Sequence, residues 1–327
     1  MDRRRFLLTS LAGAIAAPLA AGAQSAQGLP VVGILNSGFA LRSRSVDSLR
    51  RNLRLVGYVE GQNIVLEVRF AGGKTEALSA LAAALAQRKV NVLVAIGPSA
   101  LKAASVATDA IPIVALDLES DPVQDGFVRS LSRPGGNITG LFLDLPELTG
   151  KWLDLVKEVA PAVRRVAVLW DTATGPWQLA AIKAAARRIS MDLQVLEMTG
   201  LSDLDTALEA AVKGGSRALV ELSSPILNLA VSESRVATFA AKHRLPTMSM
   251  FTSFARAGGL LAYGPDRQEY DQHLATYIDK FLKGAKGGDL PIERPTKFEL
   301  VINLKTAKAL GLTIPPSLLA RADQVIE

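Results

Sequence analysis

From residue 31 onward, short apolar runs alternate with longer segments in which hydrophobic positions recur at helical spacing. Short runs rich in Val, Ile and Leu are typical of strands buried in a parallel sheet. In the first longer segment, Val46, Leu49 and Leu53 share one helical face, and Gly57 is well placed to end that helix. The predicted strands span 31–35, 65–68, 92–96, 111–116, 166–170, 193–196, 219–222 and 247–250, and further helices are predicted around 78–85, 178–189, 204–212 and 231–243.

These elements form two successive series. Each series predicts a doubly wound lobe, because parallel strands need crossover helices on both faces of their sheet. The predicted fold class is therefore α/β. The segment Arg133-Pro134-Gly135-Gly136-Asn137 separates the two series. Crossings between the lobes are predicted near 138–143, 258–263 and 291–302, although glycine and proline at any one of these points also suit an ordinary turn.

The first 23 residues have the three parts of a secretory signal. Asp2-Arg3-Arg4-Arg5-Phe6-Leu7 supplies a basic start, residues 7–19 are apolar, and Ala21-Gly22-Ala23 is a small-residue cleavage site. The arginine pair indicates the twin-arginine route, although signals of the general secretory route also carry such pairs. The apolar stretch is too short to span about 30 Å of hydrocarbon as a helix. We therefore expect export to the periplasm and a mature chain that begins near Gln24.

The composition narrows the classes of partner. The chain has no cysteine, so after export it has neither a disulfide nor a thiol for lipid attachment, and a free soluble protein is expected. The net charge of +6 is dispersed in groups such as Arg50-Arg51-Asn52-Leu53-Arg54, at the spacing of a solvated helix face. Aromatic residues make up only 5% of the chain and are not interleaved with a basic stripe, which argues against a nucleic-acid partner.

Polar and small residues follow most of the predicted strands, at the sheet edge where α/β folds bind their ligands. Serine hydroxyls and free backbone N–H groups at a helix start suit a carboxylate, whereas Asp117 or Asp171 suits an ammonium group. An aromatic ring in such a loop supplies an apolar wall. The candidate ligand-binding residues are Ser37, Gly38, Phe39, Gly97, Ser99, Asp117, Asp171, Thr172, Ser223, Ser224 and Phe251.

Each candidate also has a structural interpretation. For Ser99 or Ser224 taken alone, the spacing favours a helix cap over a ligand contact, and Phe39 also suits the core. The two histidines, His243 and His273, lack a second metal ligand at suitable spacing, and we expect both on solvated helix surfaces. No phosphate-binding loop or nucleophile motif follows a strand. We therefore expect no metal, no cofactor, no catalytic residue and no enzymatic activity.

Several longer segments carry a family resemblance. They are Gly57-Tyr58-Val59-Glu60-Gly61-Gln62-Asn63-Ile64, Asp121-Pro122-Val123, Ser132-Arg133-Pro134-Gly135-Gly136-Asn137-Ile138-Thr139-Gly140, Arg165-Val166-Ala167-Val168-Leu169-Trp170, and the C-terminal run from Pro295-Thr296-Lys297-Phe298-Glu299-Leu300-Val301-Ile302-Asn303 through Gly311-Leu312-Thr313-Ile314-Pro315-Pro316. Together they resemble the solute-binding components of ABC transporters, in the group that includes the tryptophan- and tyrosine-binding proteins. The resemblance covers essentially the whole chain after residue 23.

The resemblance implies a type I periplasmic binding protein fold, in which two Rossmann-like lobes joined by a three-segment hinge trap a ligand between them. On this basis we assign 1–23 to the signal peptide, 24–142 with about 255–290 to the first lobe, and 143–254 with about 291–327 to the second.

The resemblance also implies a function. Family members bind aromatic amino acids, and Ser37, Ser99, Asp171 and Ser223 are the cleft positions that it indicates for the ligand. The expected protein is a monomeric receptor that delivers a small solute, an amino acid or another small carboxylate, to an ABC permease in the inner membrane. A periplasmic sensor that reports its closed state to a signalling receptor is the alternative.

Overall fold

The computed structural model describes residues 28–39 and 44–327, so the predicted signal at 1–23 lies outside the described residues. Within that part of the chain, no helix has the length and hydropathy of a membrane span. The strands are β1 Val31–Asn36, β2 Val65–Phe70, β3 Val92–Ile96, β4 Ile113–Leu116, β5 Ile138–Leu141, β6 Arg165–Asp171, β7 Asp192–Met198, β8 Ala218–Glu221, β9 Thr247–Ser249, β10 Leu261–Pro265, β11 Phe298–Asn303 and β12 Gln324–Ile326. The α-helices are α1 Arg44–Leu55, α2 Leu78–Gln87, α3 Pro98–Ala107, α4 Leu145–Val159, α5 Trp177–Arg188, α6 Leu204–Lys213, α7 Ala230–Lys242, α8 Thr252–Arg256, α9 Arg267–Leu282, α10 Leu304–Leu310 and α11 Pro316–Leu319.

The first sheet has five parallel strands in the order β2-β1-β3-β4-β5. Helices cover both of its faces: α1 and α9 pack together on one, and α2 and α3 on the other. Strands β3 and β4 are almost entirely buried between these layers, which explains their near-continuous apolar sequences. The order is that of a doubly wound sheet, whose ligands bind at the carboxyl ends of the strands.

The second sheet has seven strands in the order β12-β11-β10-β9-β8-β6-β7. All neighbours are parallel except β10 and β11, which pair antiparallel. Helices α4 and α5 pack on one face, where Trp152 is fully buried and its indole Nε1 donates to the Tyr263 carbonyl at 2.7 Å. The opposite face is covered by α6, α7 and α8, with Phe254 in its core.

The chain crosses between the two lobes three times. The first crossing follows β5, and the third returns beside it, with the Phe142 N–H donating to the Glu293 carbonyl at 3.1 Å. The second crossing is at Asp266, whose side chain caps α9. His273, which was expected on a solvated surface, is half-buried on α9 and pairs with the Glu293 carboxylate.

The second crossing corrects one predicted boundary. Residues from about 255 were assigned to the first lobe, with Gly258-Gly259 as the crossing. Strand β10, however, pairs with β9 and β11, so residues 255–265 belong with the second sheet. Helix α9, which follows Asp266, is the element that packs on the first sheet. An apolar strand signal alone does not say which sheet the strand joins, and this caused the error.

The fold class predicted from the sequence, α/β with two doubly wound lobes, is confirmed. All eight strands of the two predicted series form, with ends that shift by up to two residues. The sequence analysis did not predict α4, α8, α10, α11 or β12, and it gave no bounds for α9.

Candidate functional site

A cavity of about 950 Å³ lies between the two lobes at the carboxyl ends of the strands. From the first lobe it is lined by Asn36, Gly38, Phe39, Asp47, Ile96, Gly97, Leu116, Leu118, Glu119, Arg267 and Tyr270, and from the second by Leu201, Ser223, Ser224, Pro225, Asn228, Leu229, Ala230, Val231 and Phe251. Most of these side chains are apolar. Among these described residues Arg267 is the single cationic side chain, and Asp47 and Glu119 are the two carboxylic acids.

Backbone turns bring the first-lobe wall close to the cleft. The Gly38 N–H donates to the Asn36 side-chain oxygen at 2.8 Å, which turns the chain sharply after β1. Gly97 starts α3 with a φ of 88°, and a Cβ there would lie 2.9 Å from the Ser37 hydroxyl oxygen. Only glycine takes this conformation readily. A Cβ at Gly38 would lie 3.6 Å from Pro225 of the second lobe, and one at Gly97 would lie 3.7 Å from it, so glycine at both turns lets the two walls come close together.

Three aromatic residues line the cavity: Phe39 from a loop of the first lobe, Phe251 from a loop of the second, and Tyr270 from α9. Phe39 and Phe251 are each half-buried, whereas Tyr270 is 2% exposed. Half-buried aromatic rings facing an apolar cavity suit a planar, apolar group of a ligand. The core interpretation of Phe39 therefore does not account for its position.

A buried carboxyl joins the two lobes. Glu119, which follows β4, is 6% exposed and accepts a hydrogen bond from the Ser223 hydroxyl of the second lobe. Its other oxygen accepts from the Leu118 N–H at 3.2 Å. Burial, with the added repulsion of the neighbouring Asp117, raises the pKa of Glu119 to about 8. At neutral pH this carboxyl is therefore largely uncharged, and it contacts both walls of the cavity.

Further hydrogen bonds connect the lobes at the cavity rim. The Ser99 hydroxyl donates to the Ala173 carbonyl at 2.9 Å, and the Trp177 indole Nε1 donates to the Asp125 carboxylate at 2.8 Å. Each bond joins the first lobe to the second. In the described arrangement the second-lobe segment 173–177 is thus hydrogen-bonded to two different parts of the first lobe.

The structure brings six of the eleven predicted residues to the cavity wall: Gly38, Phe39, Gly97, Ser223, Ser224 and Phe251. The other five lie near it without lining it: Ser37, Ser99, Asp117, Asp171 and Thr172. The side-chain polar groups of these five residues already form hydrogen bonds within the protein. The Ser37 hydroxyl donates to the Ile96 carbonyl at 3.3 Å, and the Thr172 hydroxyl to the Met198 carbonyl at 3.3 Å.

The serine capping interpretations have different outcomes. Ser99 is not the cap of α3: the N-cap is Gly97, and no side chain caps that helix. Ser224 does serve as a local cap, since its hydroxyl oxygen accepts from the Ile226 N–H at 3.0 Å while its O–H donates to Asp171 at 2.6 Å. The hydroxyls therefore stabilise the loops that form the wall.

The two aspartates expected to receive an ammonium group are instead satisfied within their own loops. Asp117 accepts from the Glu119 N–H at 3.0 Å and from the Ser120 N–H and hydroxyl. Asp171 accepts from the Ala173 N–H at 3.0 Å and from Ser224. Burial raises the pKa of Asp117 to about 6 and also raises that of Asp171. Neither carboxylate has a free oxygen facing the cavity.

The predicted site list lacks six polar residues of the cavity: Asn36, Asp47, Glu119, Asn228, Arg267 and Tyr270. Arg267 is the first residue of α9, which the chain reaches only at its second crossing. Its guanidinium lies 3.6 Å from the buried Asp271 carboxylate, one helical turn on. Asp266 followed by a polar segment is a recognisable helix start, but nothing local in the sequence indicates that this end of the helix meets the cleft.

Known proteins resemble this chain over most of its length. A tyrosine-binding protein of Clostridioides difficile (strain R20291) is 26% identical over 261 residues, which cover 78% of this chain and 73% of that protein.

Two solved structures have similar folds. A conserved domain protein from Vibrio cholerae O1 biovar El Tor has a TM-score of 0.82 and 26% identity over 90% of this chain and 99% of its own. A domain from Streptococcus pneumoniae in complex with L-Trp has a TM-score of 0.81 and 22% identity over 91% and 100%. These likenesses confirm the two-lobed type I periplasmic binding protein fold.

The model of the ABC transporter substrate-binding proteins matches residues 38–326, nearly all of the chain that follows the predicted signal. The resemblance drawn from the sequence motifs is therefore confirmed, and this chain belongs to the ABC transporter substrate-binding protein family.

Proposed function

We propose that the protein binds an aromatic amino acid, or a related small aromatic carboxylate, between its lobes and delivers it to an inner-membrane permease. The observation that carries the proposal is the composition of the cavity: aromatic and aliphatic walls, with one guanidinium among the lining residues that the structure describes. Its volume of about 950 Å³ lies within the range of small-molecule sites, roughly 300–1,000 Å³.

Arg267 is the group proposed to hold the ligand's carboxylate. A guanidinium presents a rigid fork of N–H donors that matches a carboxylate with two parallel hydrogen bonds. Its side chain is 32% exposed and is only loosely paired with Asp271, at 3.6 Å, so it retains donors for a second partner. The surrounding apolar wall excludes water, which strengthens such a charged contact.

The aromatic part of the ligand is proposed to lie between Phe39 of the first lobe and Phe251 of the second. Aromatic pairs in offset or edge-to-face arrangement gain about 0.5–1.5 kcal/mol beyond their area burial. Since the two rings belong to different lobes, a ligand between them contacts both and favours the closed arrangement. The relatives support this ligand class, because one is a tyrosine-binding protein and another was solved with L-Trp.

The proposed place of action is the periplasm, where a monomer carries its ligand from the outer compartment to the permease. The predicted signal at 1–23 and the family assignment support this. Trapping between two lobes suits delivery, since opening at the permease releases the solute in one step.

Calorimetric titration of the purified protein with L-tyrosine, L-tryptophan and 4-hydroxybenzoate tests the proposal, with L-lysine and L-glutamate as comparison solutes. We expect one-to-one binding of at least one aromatic probe, and at 100 times its dissociation constant that probe adds about 2.7 kcal/mol to the free energy of unfolding. If none of the aromatic probes binds, or if L-lysine binds as well as they do, the proposal is wrong.

Arg267→Gln removes the proposed carboxylate contact. We expect roughly a 30-fold or greater loss of affinity for the aromatic probe, because truncating one partner of a buried charged hydrogen bond costs at least about 2 kcal/mol. The matched control is Arg187→Gln, an exposed arginine on α5 of the second lobe, which should leave the affinity unchanged. Equal affinities in wild type and Arg267→Gln would remove Arg267 from the site.

A further inference from the structure

The end of the second lobe that faces away from the cleft is strongly basic. Strands β6, β7, β8 and β9 are parallel, so the chain segments that lead into them lie side by side at one edge of the sheet. We call these segments the basic pole: 157–165, 187–192, 213–217 and 242–246. The Asp192 N–H donates to the Arg164 carbonyl at 2.8 Å, and the Arg217 N–H to the Arg165 carbonyl at 2.9 Å. The pole is about 20 Å, the length of β6, from the cleft where these strands end.

The basic pole concentrates most of the positive charge of the chain. It holds nine cationic and two acidic residues, so its formal net charge is +7, compared with +6 for the whole chain. Of the two acids, Glu158 is paired at 2.6 Å with Arg321, which lies outside the pole. Within the described part of the chain none of the nine cations forms an ion pair. All nine are exposed: Lys157, Arg164, Arg165, Arg187, Arg188, Lys213, Arg217, Lys242 and Arg244.

Helix ends explain only part of this charge. Five of the cations lie in the last turns of α4, α5, α6 and α7, where a positive charge is stabilised by the helix dipole. The last turns of α2 and α3 in the first lobe hold no basic residue, so basic helix ends are not general in this chain. The other four cations lie outside the helices: Arg164, Arg165, Arg217 and Arg244.

Backbone geometry does not explain the arginine after α7 either. Arg244 has a φ of 54°, a conformation that favours glycine, and the equivalent turn after α6 has Gly215 with a φ of 75°. The fold therefore accepts a residue without charge at this turn. Neither helix dipoles nor turn conformation requires the four arginines outside the helices.

We propose that the basic pole binds the anionic surface of a phospholipid bilayer and so holds the protein reversibly at a membrane. Each Lys or Arg near such a surface strengthens binding by about fivefold. The pole spreads its cations over roughly 20 Å, because strand connections and helix ends on both faces of the sheet contribute to it. This spread matches many headgroups at once, whereas one small anion is held by donors that converge in a pocket.

The surface of the pole also favours a bilayer over a nucleic acid. Its segments contain no Phe, Tyr or Trp, the residues that stack on unpaired bases. The expected export would place the protein in a compartment bounded by membranes. Because the pole and the cleft are at opposite ends of the same strands, attachment would leave the cleft free for a solute. The inference goes beyond the receptor proposal and does not depend on which solute is bound.

The attachment is expected to be electrostatic. Among the exposed large apolar side chains that the structure describes, Val212, 37% exposed, is the one that adjoins a pole segment in the chain. A contact of this kind weakens with salt, because the screening length falls from about 10 Å at 0.1 M to about 3 Å at 1 M.

Co-sedimentation with vesicles tests the inference. The protein is prepared from its predicted mature start at Gln24, because the basic and apolar segment before it would bind bilayers by itself. Vesicles of phosphatidylcholine with about one third phosphatidylglycerol are compared with vesicles of phosphatidylcholine alone. We expect wild type to bind only the anionic vesicles in about 50 mM NaCl, and to bind them at least tenfold more weakly in about 500 mM.

Two fourfold variants separate the pole from the total charge. The pole variant should bind the anionic vesicles at least about 20-fold more weakly than wild type. It carries Arg164→Gln, Arg165→Gln, Arg217→Gln and Arg244→Gln. The control variant removes four exposed cations of the first lobe and should stay within about threefold of wild type. It carries Lys74→Gln, Lys102→Gln, Arg129→Gln and Arg133→Gln.

Circular dichroism and urea unfolding establish that both variants fold. If the fourfold pole variant does not fold, the double variant Arg217→Gln with Arg244→Gln takes its place and should lose at least about fivefold in affinity. The matching control is then Lys74→Gln with Arg129→Gln.

Three results would overturn the inference: no binding of wild type to the anionic vesicles at low salt, equal binding to both kinds of vesicle, or equal losses in the pole and control variants. A duplex DNA of about 20 base pairs serves as a second polyanion in the same low-salt buffer. Weaker binding to DNA than to the anionic vesicles supports the bilayer. Tighter binding to DNA that is lost in the pole variant would make the pole a nucleic-acid surface and refute the assignment.

Discussion

Glu119 offers a direct test of how burial in the cleft affects stability. Its carboxyl is 6% exposed, lies beside Asp117 and bonds to Ser223 of the other lobe. Burial and repulsion raise its pKa from the ordinary 4.5 to about 8. The perturbation is Glu119→Gln, which keeps a neutral side chain of the same shape and an oxygen for the Ser223 hydroxyl but can no longer ionise.

The expected effect follows from the difference between folded and unfolded pKa values. A carboxyl whose pKa is higher in the folded protein than in the unfolded chain contributes stability that is fully present below the unfolded pKa. This contribution to the free energy of unfolding is lost as the pH rises through the folded pKa. The window is therefore pH 4.5 to about 8. Within this window each unit of pH lowers the free energy of unfolding by about 1.4 kcal/mol. Between pH 5 and 7.5 wild type should thus lose about 3 kcal/mol that Glu119→Gln does not lose.

The assay is urea unfolding of both proteins at several values between pH 5 and 7.5, followed by circular dichroism. The free energy of unfolding of Glu119→Gln, relative to wild type, should rise with pH while the slope against urea stays constant. Both proteins retain Asp117, so the difference reports Glu119 and its repulsion by that neighbour. Glu209→Gln, at an exposed position of α6, is the control and should parallel wild type. Parallel curves for Glu119→Gln would mean that the carboxyl is ionised in the folded protein and would refute the reasoning.

Two other substitutions test the first sheet and the cleft rim. Gly140→Ala should lower the free energy of unfolding in urea by about 2–4 kcal/mol. The reason is that Gly140 has a φ of 141° and a new Cβ would lie 2.0 Å from the Ala115 carbonyl oxygen. Unchanged stability would mean that β4 and β5 can separate freely. Trp177→Phe removes the 2.8 Å hydrogen bond to Asp125 across the lobes. We expect calorimetry to show about three- to tenfold weaker binding of the aromatic probe, with little change in the unfolding of either lobe. An unchanged affinity would show that this bond contributes nothing to closure.

Much of the architecture could be predicted because its signals are local. Strand β3 reads as a strand since every residue of Val92–Ile96 is buried or nearly so between two helical layers. Helix α1 ends where Gly57 takes a φ of 92°. The error at the second crossing has the opposite cause: β10 and α9 are adjacent in sequence but belong to different lobes, and only pairing with β9 and β11 assigns the strand.

The candidate site divides in the same way. Loops after the strands were predicted because parallel strands bring their carboxyl ends to one edge. The use of their side chains was not predicted. The Asp171 carboxylate accepts a hydrogen bond from Ser224, which lies 53 residues further along the chain, and Glu119 accepts one from Ser223, which lies 104 residues further along. Whether a polar atom is free for a ligand depends on partners that no local pattern identifies.

By itself, the sequence determined the α/β class, the two lobes and the family, since these follow from the period of the hydrophobic residues and from motifs contiguous in the chain. The tertiary structure alone decided where β10 belongs, that Arg267 of α9 faces the cleft, and that the cations of the basic pole meet at one edge of the second sheet. The physical reason is that periodicity records which face of an element is buried, whereas the chemistry of a cleft depends on how separately formed elements pack and which hydrogen bonds they leave unmade.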